Sequence, residues 1–220
     1  MKAFFPVAIL ALASALFSCG PSLVVKPLKK GEKLLGMHLG GPMIRFSGIP
    51  MPVPLSGAEF HYGLSDKTTA GAGLGLTSMA FGTAQLNLGI TTALLSEENC
   101  MKTGISGLLK GHFLIDRWER NFRFYPEAGF HAWRQAGRQR YYAGASAWVE
   151  TRYGGRQRTS ENFWVPMLHA GWQKAEGRWL PSAEIKWIAP GEDSRNLVVD
   201  YIAPAGRGSL GFYLGLKRIF

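Results

Sequence analysis

The chain has 220 residues, 12% of them aromatic, with 28 glycines, two cysteines and a formal charge of +10. After residue 20 it holds no apolar run near the ~18 residues of a membrane helix, which excludes a bundle of transmembrane helices. Two cysteines exclude a small disulfide-stapled scaffold, so packing and hydrogen bonding must hold the fold.

The N-terminus reads MKAFFPVAILALASALFSCG. One positive charge at Lys2 precedes an apolar stretch over 3–17, followed by small Ser18 and Cys19. This is the layout of a secretory signal peptide over 1–18. An uncleaved helical anchor is the alternative, but the run is short of the roughly 20 residues a spanning helix needs. The stretch LFSC also resembles the lipobox of bacterial lipoproteins, with Leu16 and Ser18 at the matching positions. That resemblance implies cleavage before Cys19 by the lipoprotein-processing machinery, and acylation of Cys19 with fatty acid such as palmitate. An ordinary signal with an incidental Cys19 is the competing reading. If Cys19 is acylated, Cys100 is the remaining thiol, and it has no ligand-like neighbours. Residues 26–33, KPLKKGEK, read as a basic tether, so 19–33 is expected to be a lipidated cysteine and its tether. Each Lys near a membrane attracts anionic headgroups by about 1 kcal/mol. A plain solvated linker fits the same residues.

From 34 to 220 period-two alternation with Gly, Pro and Asn/Asp punctuation dominates, which predicts one all-β domain. Strands are expected at 34–46, 57–63, 68–79, 84–95, 104–115, 123–134, 141–153, 163–173, 178–189 and 208–220. The connections GLSDKT, SEENCMKT, QAGRQR and KAEG are modest. The opposite set includes SGIPMPVPLS, DRWERNF, GGRQRTSEN and PGEDSRNLVVDYIAPAGRG, with a short exception at 79–84. Short turns at one end and long loops at the other are the asymmetry of a closed, up-and-down transmembrane β-barrel.

One parity of each strand is apolar, as in Leu86, Leu88 and Ile90, or Ala143, Ala145 and Ala147. The other carries Gly and nearly all the charge: Glu59, Lys110, Glu127, Glu150, Arg152, Glu184, Lys186 and Lys217, with His38, His61, His112, His131 and His169. In a soluble sandwich or lipocalin-like barrel the apolar face is the core. In a membrane barrel it meets lipid, and the polar face lines the lumen. Alternation does not choose between these. The tryptophans favour the second. Trp164 and Trp172 share the apolar parity of one strand, eight residues apart, and Trp179 and Trp187 repeat this on the next. Eight residues span roughly 26 Å along a strand. Tilted, that is near 20 Å along the membrane normal, close to the ~25 Å band between aromatic girdles. Tyr141 and Tyr153 bracket the neighbouring strand more widely.

Pro126, Pro166 and Pro181 fall inside expected strands, where a closed barrel offers no free edge for them. Leu108 and Leu114 fall on the lumen parity. The chain closes on SLGFYLGLKRIF, with Phe212, Leu214, Leu216 and Phe220 on one parity. This segment resembles the C-terminal strand of bacterial outer-membrane β-barrels. The resemblance implies recognition of Phe220 by the barrel-assembly machinery. An even strand count puts both ends of the barrel on the periplasmic side of the outer membrane, where a lipid on Cys19 inserts.

The expected function is therefore a lipid-anchored outer-membrane barrel with a largely filled polar lumen and a structural or interaction role in the bacterial envelope. A narrow porin-like passage is one alternative, since Gly36, Gly40, Gly71, Gly73, Gly75, Gly211 and Gly215 leave part of the inner wall bare. A lipid-modifying or proteolytic enzyme with a site at the extracellular rim is the other, with His112, Asp116 and Glu119 as candidates. Positions four apart on a strand are roughly 13 Å apart, so such a site needs residues from several strands. No Ser-centred elbow, HExxH, phosphate loop or CxxC motif appears, and no metal or cofactor is expected. The positive charge clusters at Arg117, Arg120 and Arg123 around Trp118, and at Arg156 and Arg158. Export argues against nucleic acid. Membrane lipid, including anionic glycolipid, and an envelope protein are the expected partners.

Overall fold

A computed structural model describes residues 20–95, 102–118, 120–151, 164–195 and 199–220. Its elements are β1 (Lys33–Phe46), β2 (Ile49–Pro52), β3 (Leu55–Ser65), β4 (Thr68–Gly75), α1 (Leu76–Ala80), β5 (Thr83–Leu95), β6 (Thr103–Asp116), β7 (Phe122–Ala136), β8 (Gln139–Val149), β9 (Trp164–Lys174), β10 (Trp179–Asp193) and β11 (Arg207–Ile219). All strands except β2 form the wall, each antiparallel to its neighbour in sequence. β11 pairs back onto β1 from Leu34↔Ile219 to Pro42↔Gly211, which closes a ten-stranded barrel. Closure leaves no unpaired edge in the ten-stranded wall.

The apolar parity faces outward. Leu35, Met37 and Leu39 on β1, and Leu86, Leu88 and Ile90 on β5, are exposed. Trp164 and Trp179 stand on the outer face at 49% and 50% exposure. The charged parity faces in, with Glu184 and His131 each 1% exposed and Lys217 2%. This inverts the rule for a protein dissolved in water, where charged groups are almost never fully buried.

The three strand prolines are accommodated by register. Pro126 pairs with Gly111 of β6, and the β7–β8 ladder begins one residue later, at Glu127. Pro166 pairs with Ala147, and the β9–β10 ladder stops at Met167. Pro181 pairs with Leu216, and the same ladder starts at Ser182. On one side of each proline no ladder runs for the missing N–H to interrupt.

Two stretches depart from the sequence expectation. Residues 76–79, expected to end a strand, form α1 instead. Thr77 pins that turn to β3, its Oγ1 accepting from Ser56 N at 2.8 Å and donating to Pro54 O at 3.1 Å. The expected loop SGIPMPVPLS contains β2, which folds back on β1 from Met43↔Pro52 to Phe46↔Ile49. Its two-residue turn, Ser47 and Gly48, has φ of 52° and 82°. Positive φ at both central residues matches the right-handed twist of a hairpin.

A third departure is inside the wall. Residues 20–28, part of the stretch expected to be a tether, run through the lumen. Val25 is 0% exposed and packs with Trp133 and Tyr142. Val24 and Leu28 pack with Leu34 and Ile219. The physical reason is the apolar LVV run between two prolines, which has no favourable place in water.

Candidate functional site

The lumen groups and the N-terminal peptide form one interlocked set. Register places Tyr142, Gly171 and Glu184 side by side on β8, β9 and β10. Glu184 Oε2 accepts the Tyr142 hydroxyl at 2.8 Å and the backbone N–H of Ser22 at 3.0 Å. Its other oxygen lies 3.4 Å from Lys186 Nζ. Lys186 in turn donates to the Gly20 carbonyl at 2.6 Å. On β11, Lys217 donates to the Leu23 carbonyl at 2.8 Å and to Gln173. Ser106 donates to the Val25 carbonyl at 2.5 Å, and Thr69 accepts from Leu28 N at 2.7 Å. His131 Nε2 is 3.1 Å from the Ser22 hydroxyl, and its ring lies 4.8 Å from that of His169. Side chains from β4, β6, β10 and β11 thus hold the peptide by its backbone, which fixes its path without dictating its side chains. At the mouth, Lys26 and Arg140 stack on Trp133 at 5.2 and 5.4 Å.

A second group lies toward the loop end. His112 stands between Asn87 Oδ1 and Glu127 Oε2, each at 2.9 Å. Gln85 extends the chain to Asn87 at 3.2 Å, and Ser78 of α1 donates to Gln85 at 2.8 Å. On β3, Glu59 and His61 pair at 2.8 Å. Buried carboxylates, cations and amides that satisfy one another in this way are tolerated, whereas any one left alone is costly.

His38 also faces the lumen, over Gly57, where a Cβ would stand 2.5 Å from its ring. Lys110 is half-buried with its stem against Gly89. Glu150 is half-buried just beyond the loop end of β8. Of the expected rim set, His112 and Asp116 lie among the described residues. His112 is buried in the lumen and engaged with Asn87 and Glu127, while Asp116 ends β6 and accepts from Trp118 N at 2.7 Å. Cys19, Cys100, Glu119, Arg152, Tyr153, Arg156 and Arg158 lie outside the described residues.

The glycine positions read as bare wall are covered by neighbouring atoms among the described residues. At most of them the nearest atoms belong to neighbouring side chains, and at Gly40 to the β11 backbone. A Cβ on Gly73 would stand 2.7 Å from Glu59 Cγ, and one on Gly211 would stand 2.7 Å from the Tyr213 ring. At Gly36 the space is taken by the peptide itself, with Leu23 at 3.0 Å. Leu108 and Leu114 are buried on the same inner face.

On the outer face, Tyr141 pairs with Trp172 near the end where the barrel's own chain termini meet, and Trp187 bonds the Arg207 carbonyl at 2.9 Å toward the other. Phe220 exchanges backbone hydrogen bonds with Lys33, at 2.8 and 3.2 Å, and its ring stays exposed.

Sequence reasoning passed over Ser22, Thr69, Gln85, Asn87, Ser106, Tyr142 and Gln173. All but Ser22 lie on the lumen parity of a strand, so attending to neutral polar residues as well as charged ones would have found them. Ser22 had no such signal. Among the described residues no group of three or more His, Cys, Asp or Glu is placed to hold a metal ion.

No family model matches the chain, and no curated protein sequence matches it. Several solved structures do. The translocator domain of the autotransporter NalP from Neisseria meningitidis is 10% identical, covering 100% of this chain and 96% of its own, with a TM-score of 0.46. The NanC porin is 6% identical over 85% of this chain and 98% of its own, with a TM-score of 0.45. Ail of Yersinia pestis is 12% identical over 87% of this chain and 99% of its own, with a TM-score of 0.30. At these identities and scores the likeness carries no argument about function.

Proposed function

We propose that this chain is an outer-membrane barrel whose own N-terminal peptide closes its lumen, and that its role in the bacterial envelope is structural or that of an interaction subunit. The observation that carries the reading is the peptide at 20–28, held by Glu184, Lys186, Lys217, Ser106 and Thr69. An apolar exterior with tryptophans toward both ends supports placement in a bilayer. The even strand count puts the start of β1 and the end of β11 at the same rim, which this reading assigns to the periplasmic side.

Planar-bilayer recording tests the closure. The purified barrel is expected to be silent, and deletion of 20–28 is expected to give steady conductance. A conducting full chain would refute it and favour the narrow pore. Heat-modifiable gel migration of the membrane fraction tests the barrel separately.

Acylation of Cys19 enters the same proposal as an alternative seat for the peptide. Gly20, its neighbour, is held by Lys186 among polar lumen groups, where acyl chains find no apolar surroundings. A lipidated chain end therefore draws the peptide out of the lumen and into the periplasmic leaflet. The mass of the mature N-terminus distinguishes the two states. At the opposite rim, Arg117 stacks on exposed Trp118 at 5.6 Å, a fit for a phosphate of anionic glycolipid.

A further inference from the structure

The closing seam of the barrel carries a feature that neither the plug nor the girdle explains. Arg218 sits on the outward parity of β11, opposite Trp179 of β10 and Leu35 of β1. Its guanidinium lies 4.6 Å from the Phe220 ring and 5.5 Å from the Trp179 ring. Its Nε is buried and has no hydrogen-bond partner among the described residues. Two aromatic rings within cation–π reach therefore orient the planar cation. One step along the seam Lys33 faces Phe220 across the strands and is exposed. Further round the same end, Arg134 stands opposite Tyr141, and Lys174 opposite Gln139. No Asp or Glu shares the outward parity of the described strands at this end. On the strands' outward parity the charge here is cationic, with Glu32, Asp66 and Glu176 confined to the turns below, and the aromatic and apolar neighbours are set to meet acyl chains.

We propose that Arg218, held between Trp179 and Phe220 with Lys33 beside it, binds the phosphate of an anionic phospholipid in the periplasmic leaflet. A guanidinium presents a fork of N–H donors that matches phosphate oxygens, and stacking on rings leaves that fork free. The bound lipid sits where β11 meets β1, so it clasps the two strands whose pairing closes the barrel. This inference rests on the membrane placement proposed above.

The test uses the full chain in phosphatidylcholine vesicles, with and without phosphatidylglycerol. Spin-labelled lipids report the preference of the barrel surface for the anionic over the zwitterionic species. A clear preference is expected, falling about fivefold in Arg218→Gln, the effect of removing one basic contact near a membrane surface. Arg218→Lys keeps the charge but not the stacked fork, and restores only part of the preference. Equal preference in wild type and Arg218→Gln overturns the site, as does full restoration by Lys. A tighter preference for spin-labelled lipid A than for phosphatidylglycerol, lost in the same variant, also overturns it. Folding is read independently by heat-modifiable migration. A chain that never shifts on the gel refutes the membrane barrel itself, whereas one that shifts without lipid preference refutes this site alone.

Discussion

Tyr142 reaches across Gly171 to place its hydroxyl 2.8 Å from Glu184, two strands away. A side chain at 171 would occupy the space of that phenol, since a Cβ there would stand 2.5 Å from the Tyr142 ring. The glycine on β9 thus permits a contact between β8 and β10, and that contact in turn orients the carboxylate that holds Ser22.

Gly171→Val is expected to displace Tyr142 and cost about 1–3 kcal/mol, the usual penalty of overpacking. Tyr142→Phe removes the hydrogen bond to a charged acceptor, worth about 1.5–3 kcal/mol. Because both act on one contact, the double variant should lose less than the sum. Urea unfolding in vesicles, followed by tryptophan fluorescence, measures the coupling. Strict additivity would show that the glycine acts elsewhere.

Glu184→Ala leaves Lys186 and Tyr142 facing an emptied site. Removing one partner of a buried ion pair typically costs about 3–5 kcal/mol. Glu184→Gln keeps an acceptor for Ser22 and Tyr142 and should cost less. The order Ala worse than Gln is the expected outcome of the same unfolding assay, and equal losses would mean that charge alone matters.

Val25→Asp replaces a fully buried apolar side chain packed on Trp133 and Tyr142 with a carboxylate. Ionised groups are expelled from such surroundings, so the peptide should leave the lumen while the strands remain paired. Ser22→Cys in a background lacking the native thiols reports this. Maleimide should label it slowly in the otherwise native barrel and at least tenfold faster with Val25→Asp. Fast labelling in both would place the peptide outside.

Proline tolerance should follow the ladder. Ala145 pairs with both Phe130 and Leu168, so Ala145→Pro must break a ladder bond. A cost of about 3 kcal/mol or more is expected, by analogy with proline in a helix interior. Pro166→Ala should be nearly neutral. Refolding yield into vesicles, read on gels, compares the two.

Much of the wall was legible in the chain. Alternation in the run from Leu210 to Leu216 and in Leu86, Leu88 and Ile90 marks one face without reference to any partner. That is because successive side chains of a strand point to opposite sides, a purely local property. The strand prolines were not legible in the same way. Whether Pro126 breaks a ladder depends on where β8 starts, which is set by register between strands.

By itself the sequence determined that this is a β protein of alternating faces, with its large rings spaced to bracket an apolar band. Local backbone geometry suffices for that. Only the tertiary structure decided that residues 20–28 enter the lumen, that 76–80 turn into a helix, and that Glu184 is shared by Ser22 and Tyr142. Ser22 and Glu184 are 162 positions apart. No periodicity along a chain encodes a contact at that separation; it exists because the barrel has closed and enclosed a space in which an apolar peptide and buried charges satisfy one another.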